Sequence, residues 1–268
     1  MSKPINPLVG SLLVVSTVIS SALSVSAANI PLANPSFESP DLSNTTEIVP
    51  GAGPFDFETP TGWNLYNPNN LIPPVYDNEA NSPFATAFTG VWRPSSPFFA
   101  TIPDGAQIVS IYINTPGQGV VGLSQNTGVT IAPNTTYRFS AAVGNPQIPD
   151  PTDPFFDGFP GYRLELLAGN TVIATDDNSI SIDEKQFRRA SIAYTSSEND
   201  TYQGEELGIR LINLNLDNNS GGDGNNGREV TFDDVRLEEI AVPDNGMSWQ
   251  LSSIMMLTGL VIKLKTKK

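Results

Sequence analysis

Val230-Thr231-Phe232-Asp233-Asp234-Val235-Arg236-Leu237 carries four apolar residues that do not share one parity. Successive side chains of a strand point to opposite faces, so Val230 and Phe232 point one way, and Val235 and Leu237 the other, with Asp233 on their parity. Either Phe232 faces outward or a β-bulge near Asp233-Asp234 resets the phase. The bulge is the preferred reading, and it would turn an acidic side chain towards the sandwich end, where a cation can sit. Working outward, Val109, Ile111 and Ile113 alternate with Ser110, Tyr112 and Asn114, and Tyr137, Phe139, Ala141 and Val143 form one face opposite Arg138 and Ser140. Tyr162, Leu164 and Leu166 lead through Ala168-Gly169-Asn170 to Val172 and Ala174, which reads as a hairpin. Further strands run through Ala190, Ile192 and Tyr194, then Leu207, Ile209 and Leu211. No long stretch between Ala28 and Ala241 has helical period. Short strands with one apolar face predict an all-β fold, two sheets packed as a jelly-roll β-sandwich.

Both ends read as targeting segments. Residues 1–27 have one basic residue, Lys3, an uncharged apolar stretch from Leu8 to Leu23, and the small-x-small ending Val25-Ser26-Ala27 that a signal peptidase accepts. At the other end, Val242-Pro243-Asp244-Asn245-Gly246 precedes an uncharged stretch over 247–262 and a basic close at Lys263, Lys265, Lys267 and Lys268. That stretch spans roughly 24 Å as a helix, short of the hydrocarbon core, and its lysines place the C-terminus in the cytoplasm. The expected layout is a signal peptide at 1–27, a sandwich at 28–241 and a sorting or anchoring segment at 242–268, exported to the cell surface or beyond.

Composition narrows the partners. The central region holds nine basic and 27 acidic residues, and a net charge of −18 repels nucleic acid and anionic membranes. The chain has no Cys and no His, which removes Ser-His-Asp and Cys-His nucleophiles, zinc sites of imidazole or thiolate, and disulfides. Calcium, a hard cation taking oxygen ligands, stays open as a structural cofactor. Residues 217–227 superficially resemble a calcium loop, but Arg228 occupies the twelfth position, so they read as a flexible linker. Residues 146–161, with five prolines and Phe155, Phe156 and Phe159, read as a loop, as do 44–60.

Asn34-Pro35-Ser36-Phe37-Glu38, Gly62-Trp63, Gly122-Leu123-Ser124-Gln125, Thr136-Tyr137-Arg138-Phe139 and the terminal Phe232-Asp233-Asp234-Val235, in that order, resemble the galactose-binding-like and carbohydrate-binding-module-like jelly rolls. More narrowly the chain is similar to exported bacterial proteins with a PEP-CTERM tail. The resemblance implies a galactose-binding-like sandwich flanked by an N-terminal signal helix and a short C-terminal membrane helix. It also implies a structural Ca2+ between the first and last strands, held by Glu38 and Asp233, and an exosortase-like protease acting on the tail. The tail departs from the commonest Val-Pro-Glu-Pro form and is closer to a Val-Pro-Asp-Ser-Gly variant.

The expected function is therefore non-catalytic: a carbohydrate-binding module of envelope or biofilm matrix, with a structural coat protein as the alternative. Sugar rings stack on aromatic faces framed by polar groups. Trp92 and Arg93, in a loop-like Pro- and Ser-rich context, and Tyr112 are the ligand-binding candidates, with extracellular polysaccharide as partner, whereas Trp63 reads as core. A glycoside-active enzyme would need two converging acids. Glu165, Asp176 and Asp177 are the candidates, but Glu165 reads as a solvated outer-face residue.

Overall fold

The computed structural model describes residues 27–48, 50–95, 98–147, 158–216 and 228–242. Within them run β1 (Ala27–Asn29), β2 (Phe55–Asp56), β3 (Asn64–Tyr66), β4 (Ala87–Trp92), β5 (Ile108–Ile113), β6 (Val121–Thr130), β7 (Thr135–Asn145), β8 (Tyr162–Ala168), β9 (Thr171–Asp177), β10 (Gln186–Thr195), β11 (Glu206–Asn213) and β12 (Glu229–Ala241). They form two antiparallel sheets. One has the order β10-β7-β12-β5-β4-β2 with β1 also on β12, and the other the order β3-β6-β11-β8-β9. The fold is an all-β, two-sheet antiparallel sandwich. The expected flanking signal and membrane segments, 1–27 and 242–268, lie outside the described residues except for Ala27 and Val242. Among the described residues no helix is long and apolar enough to cross a membrane.

The alternating residues build the interior as their parity predicts. Val109, Ile111 and Ile113 of β5 meet Leu207, Ile209 and Leu211 of β11 in one buried cluster between the sheets. Trp63 is core, with its ring 5.4 Å from that of Phe37. The β8–β9 hairpin turns at Gly169-Asn170, where Gly169 takes φ +54°, a conformation an L side chain resists.

The bulge is present. On β12, Asp233 pairs with Ala142 and Arg236 with Ser140, so one extra residue is accommodated, and Asp234 takes φ +45°. Val230, Phe232, Val235 and Leu237 consequently all enter the core. The reset falls at Asp234 rather than before Asp233, which corrects the parity expected for Asp233. It stays in phase with Glu229 and Thr231, on the face of the seven-stranded sheet turned away from its partner sheet.

That outer face is not solvated. β4, Ala87–Trp92, is buried at every position, and a second apolar cluster holds Phe55, Phe88, Trp92, Ile108 and Tyr112 beneath loops contributing Ala52 and Phe98. Two-sided burial erases the alternation by which strands are recognised, so Trp92 read as a loop residue although it ends β4. Chain segment 56–57 passes so close to Gly90 that a β-carbon there would overlap the Asp56 carbonyl oxygen and crowd the Phe57 Cα at 3.1 Å. Gly90→Ala should therefore cost about 1–3 kcal/mol of stability, the usual range for overpacking, read as a lower midpoint in urea unfolding.

Candidate active site

Three cross-strand rows define the outer face of the seven-stranded sheet. Phe88, Tyr112 and Glu229 stand in register across β4, β5 and β12. Gly90, Ser110, Thr231, Gly144 and Phe187 form the next row, through β7 to β10, and Trp92 and Ile108 begin the third. The middle row is small at its centre and covered at both ends. Segment 56–57 lies over Gly90, and the Phe187 ring fills the space a side chain at Gly144 would need.

Aromatic rings surround this polar centre. Phe88 is stacked on Tyr112 at 5.2 Å, and Phe57 and Phe84 meet Phe88 edge-on at 4.9 and 5.4 Å. On the other side Phe99 packs on Phe187 at 4.6 Å and on Trp92 at 5.9 Å. Edge-on and offset pairs of this kind hold a fixed arrangement of ring faces and edges.

Glu229 lies inside this enclosure, 2 % exposed, with Ser110 and Thr231 wholly buried. The Ser110 hydroxyl donates to Glu229 Oε1 at 2.7 Å. Glu229 Oε2 and Thr231 Oγ1 have no hydrogen-bond partner. Burial pushes the Glu229 carboxyl up to about 8, against a smaller opposing effect of the Ser110 bond. The group is thus a neutral acid at pH 7, with a buried oxygen available. Burial likewise raises the Tyr112 phenol, with Arg228 pulling it back. An unmatched buried polar group costs about 1–3 kcal/mol, so two on one strand face call for an explanation, and ligand contact supplies one.

The expected sugar-binding residues are placed differently. Trp92 and Tyr112 are both fully buried and belong to the same aromatic cluster. Trp92 stacks on Phe55 at 4.9 Å, and its indole N–H donates to the Ala52 carbonyl at 2.9 Å. Neither offers an exposed platform to a polysaccharide, because loops cover the sheet above them. Arg93 is half-buried, with its backbone N–H on the Pro54 carbonyl at 3.0 Å.

Glu38 and Asp233 address one turn from two sides. Glu38 Oε1 accepts the Ala106 and Gln107 N–H groups, each at 2.8 Å, while Asp233 accepts those of Asp104 at 2.8 Å and Asp234 at 2.7 Å. Burial lifts the Asp233 carboxyl to about 7. Among the described residues no group of three or more His, Cys, Asp or Glu is placed to hold a metal. Of the tail motif, Val242 is 41 % exposed and donates its N–H to the Asn134 carbonyl at 2.7 Å. Pro243, Asp244, Asn245 and Gly246 lie outside the described residues.

Glu165 is not solvated but 5 % exposed, because it accepts from Arg210 at 2.6 Å while Arg210 lies 3.9 Å over the Tyr66 ring. Asp176 accepts from Tyr162 at 2.8 Å, and Asp177 pairs with Arg163 at 2.9 Å. All three acids serve the framework.

Glu229, Ser110 and Thr231 were missed by sequence reading. One signal was available: Glu229, Thr231 and Asp233 share a parity on a strand whose other parity is apolar. Such a face ordinarily meets water, and only the loops above it reverse that.

Comparison with known proteins bears on this enclosure. The profile of the HpiC1-like family, described as HpiC1 cyclase, matches residues 28–238. A cyclase from Fischerella sp. TAU is 34% identical, with a TM-score of 0.68 over 81% of this chain and 100% of that one. The Stig cyclase Fisc from Fischerella sp. TAU, solved with (3Z)-3-(1-methyl-2-pyrrolidinylidene)-3H-indole, is 34% identical over 80% of this chain and 98% of that one, TM-score 0.66. A Fischerella sp. TAU cyclase solved with 4-(1H-indol-3-yl)butan-2-one is 33% identical over 79% and 97%, TM-score 0.66. No curated protein matches the sequence. These findings overturn two expectations, the assignment to galactose-binding-like proteins with a PEP-CTERM tail and the non-catalytic surface or matrix role. The motifs behind them mark ends and corners of a sandwich, such as the Phe37–Trp63 contact and the β12 bulge, and not its chemistry. The profile covers nearly all of the described sandwich and the solved relatives about four fifths of the chain, and the chain belongs to the HpiC1-like cyclase family.

Proposed function

We propose that this chain is a cyclase that closes a ring on an indole-bearing substrate, with Glu229 as the acid that starts the reaction. One observation carries the reading: a carboxyl held neutral by burial, with one oxygen unpartnered, inside a shell of aromatic rings. The family supports cyclisation, and the indole compounds bound by the Fischerella relatives support the substrate class.

The chemistry follows from the groups present. Glu229 Oε2–H gives its proton to a π bond or imine nitrogen of the substrate, leaving a carboxylate and a substrate cation. Ring faces of Phe88 and Tyr112 attract such a cation, and the carboxylate balances its charge. An internal carbon nucleophile then forms the new bond, and the proton it releases returns to Glu229. The product is an isomer of the substrate, and the acid is restored. Water must be kept out while the cation exists, and an apolar enclosure does this better than an open groove.

The sandwich is of jelly-roll type, and export through the 1–27 signal fits a chain with no cysteine chemistry to protect. Calcium is also part of this reading. Glu38 and Asp233 are hard oxygen donors on two sides of the 104–107 turn, and the ion would tie the start of the domain to its last strand.

The direct test is binding of 4-(1H-indol-3-yl)butan-2-one followed by calorimetry and by Trp fluorescence. Saturable binding is expected, and silence at millimolar concentration would remove the indole assignment. Turnover of an indole substrate should persist below pH 8 and fall as pH rises through it, because the acid ionises. Glu229→Gln should abolish that turnover while leaving binding within a few-fold. The same group affects stability: its folded value of about 8 lies above the ordinary 4.5, so stability is full below about pH 4.5 and declines towards pH 8. Glu229→Gln should lack that part of the slope in urea unfolding across pH 5–8. For calcium, adding it to chelator-treated protein should raise the melting temperature by several degrees, and magnesium should not substitute.

A further inference from the structure

We infer that Ser110 is a positioning residue that keeps the proton of Glu229 on Oε2, the oxygen with no protein partner. This rests on Glu229 acting as the acid and adds the direction in which it acts. A neutral carboxyl has one hydroxyl and one carbonyl-type oxygen, and two arrangements across the 2.7 Å contact are open. If Ser110 donates to Oε1, the proton is on Oε2, and a single donor awaits a ligand. If instead Glu229 donates from Oε1 to Ser110, the serine hydrogen needs another acceptor, and Oε2 is left bare as well. Among the described residues Ser110 Oγ donates to no other acceptor: the Asp56 carbonyl over Gly90 on one flank takes no bond from it, and Thr231 Oγ1 on the other makes no hydrogen bond. Burial penalises each unmatched group, so the arrangement with one wins.

Register makes the arrangement rigid. Ser110 pairs with Thr231 and Tyr112 with Glu229, so serine and acid are diagonal neighbours on two central strands and cannot drift apart without a slip of the sheet. The titratable groups facing Glu229 are Tyr112 from β5 and, next to it in sequence, Arg228, which is engaged with Tyr112. Neither donates a hydrogen bond to the carboxyl, and Ser110 supplies the one it receives. Without that bond the carboxyl would turn, and the proton would be shared between two oxygens aimed differently.

Infrared titration of the full chain tests this without a substrate. The carbonyl band of protonated Glu229 is identified by its loss in Glu229→Gln. In Ser110→Ala that band should move to higher frequency, because its oxygen loses a donor. The titration midpoint should rise by about one pH unit, the weight of one bond to a carboxylate. Ser110→Thr should restore both, and Ser110→Cys, a weaker donor, should fall between and stands in if the alanine variant does not fold. Band and midpoint unchanged in the folded Ala or Cys variant would overturn the positioning role while leaving the acid in place. Absence from the wild type of any protonated band that Glu229→Gln removes would overturn the acid, and the positioning role with it.

Discussion

The first five residues of strand β12, Glu229 to Asp233, run through the seven-stranded sheet with no face given to solvent, and most other features of the molecule answer to that constraint. Its apolar parity, Val230 and Phe232, fills the space between the sheets, while its polar parity, Glu229, Thr231 and Asp233, is buried on the far side under loops. Pairing with β5 and β7 fixes which residues these polar groups meet: Tyr112, Ser110 and Ala142. The bulge at Asp234 then returns Val235 and Leu237 to the core, and the outer face ceases to be polar and buried at the point where the acid site ends.

A polar face of this kind is expensive. A buried carboxyl bonded at one oxygen, beside an unbonded threonine hydroxyl, is what folding selects against when shape alone matters. The surrounding rings make it more expensive, because they exclude the water that would satisfy both groups. An arrangement costly to fold but suited to holding an uncharged acid at neutral pH is the pattern by which catalytic carboxyls are recognised. The net negative charge of the domain works in the same direction, since a chain so acidic gains little from one more ionised group.

Sequence reading reached the sandwich because β5, β7, β8 and β11 each keep one apolar parity, and it reached the bulge because four apolar residues on β12 could not otherwise share a core. It failed at β4, whose residues Ala87 to Trp92 are buried on both sides and so show no alternation. The same blindness misplaced the site. Trp92 was sought at the surface for stacking a sugar and is instead part of the enclosure's wall, while Ser110 and Glu229 resembled solvent-facing polar residues. Parity tells which residues share a face, but not whether loops far along the chain will cover it. Only the fold brings 50–57 and 98–102 over residues that lie on β4, β5 and β12.

The roof of the enclosure and its floor are made of different material. Ser110, Thr231 and Glu229 sit on central strands, where a change of spacing would break the ladder, whereas Phe57, Phe84 and Phe99 come from segments between the longer strands, tied to them by bonds such as those from the Trp92 indole to Ala52 and from the Ala100 N–H to Lys185. On the function proposed above, chemistry and selectivity are carried by separate stretches of the gene. Drift in the connecting segments can reshape the aromatic cover, while Ser110, Thr231 and Glu229, held by the sheet, keep their places.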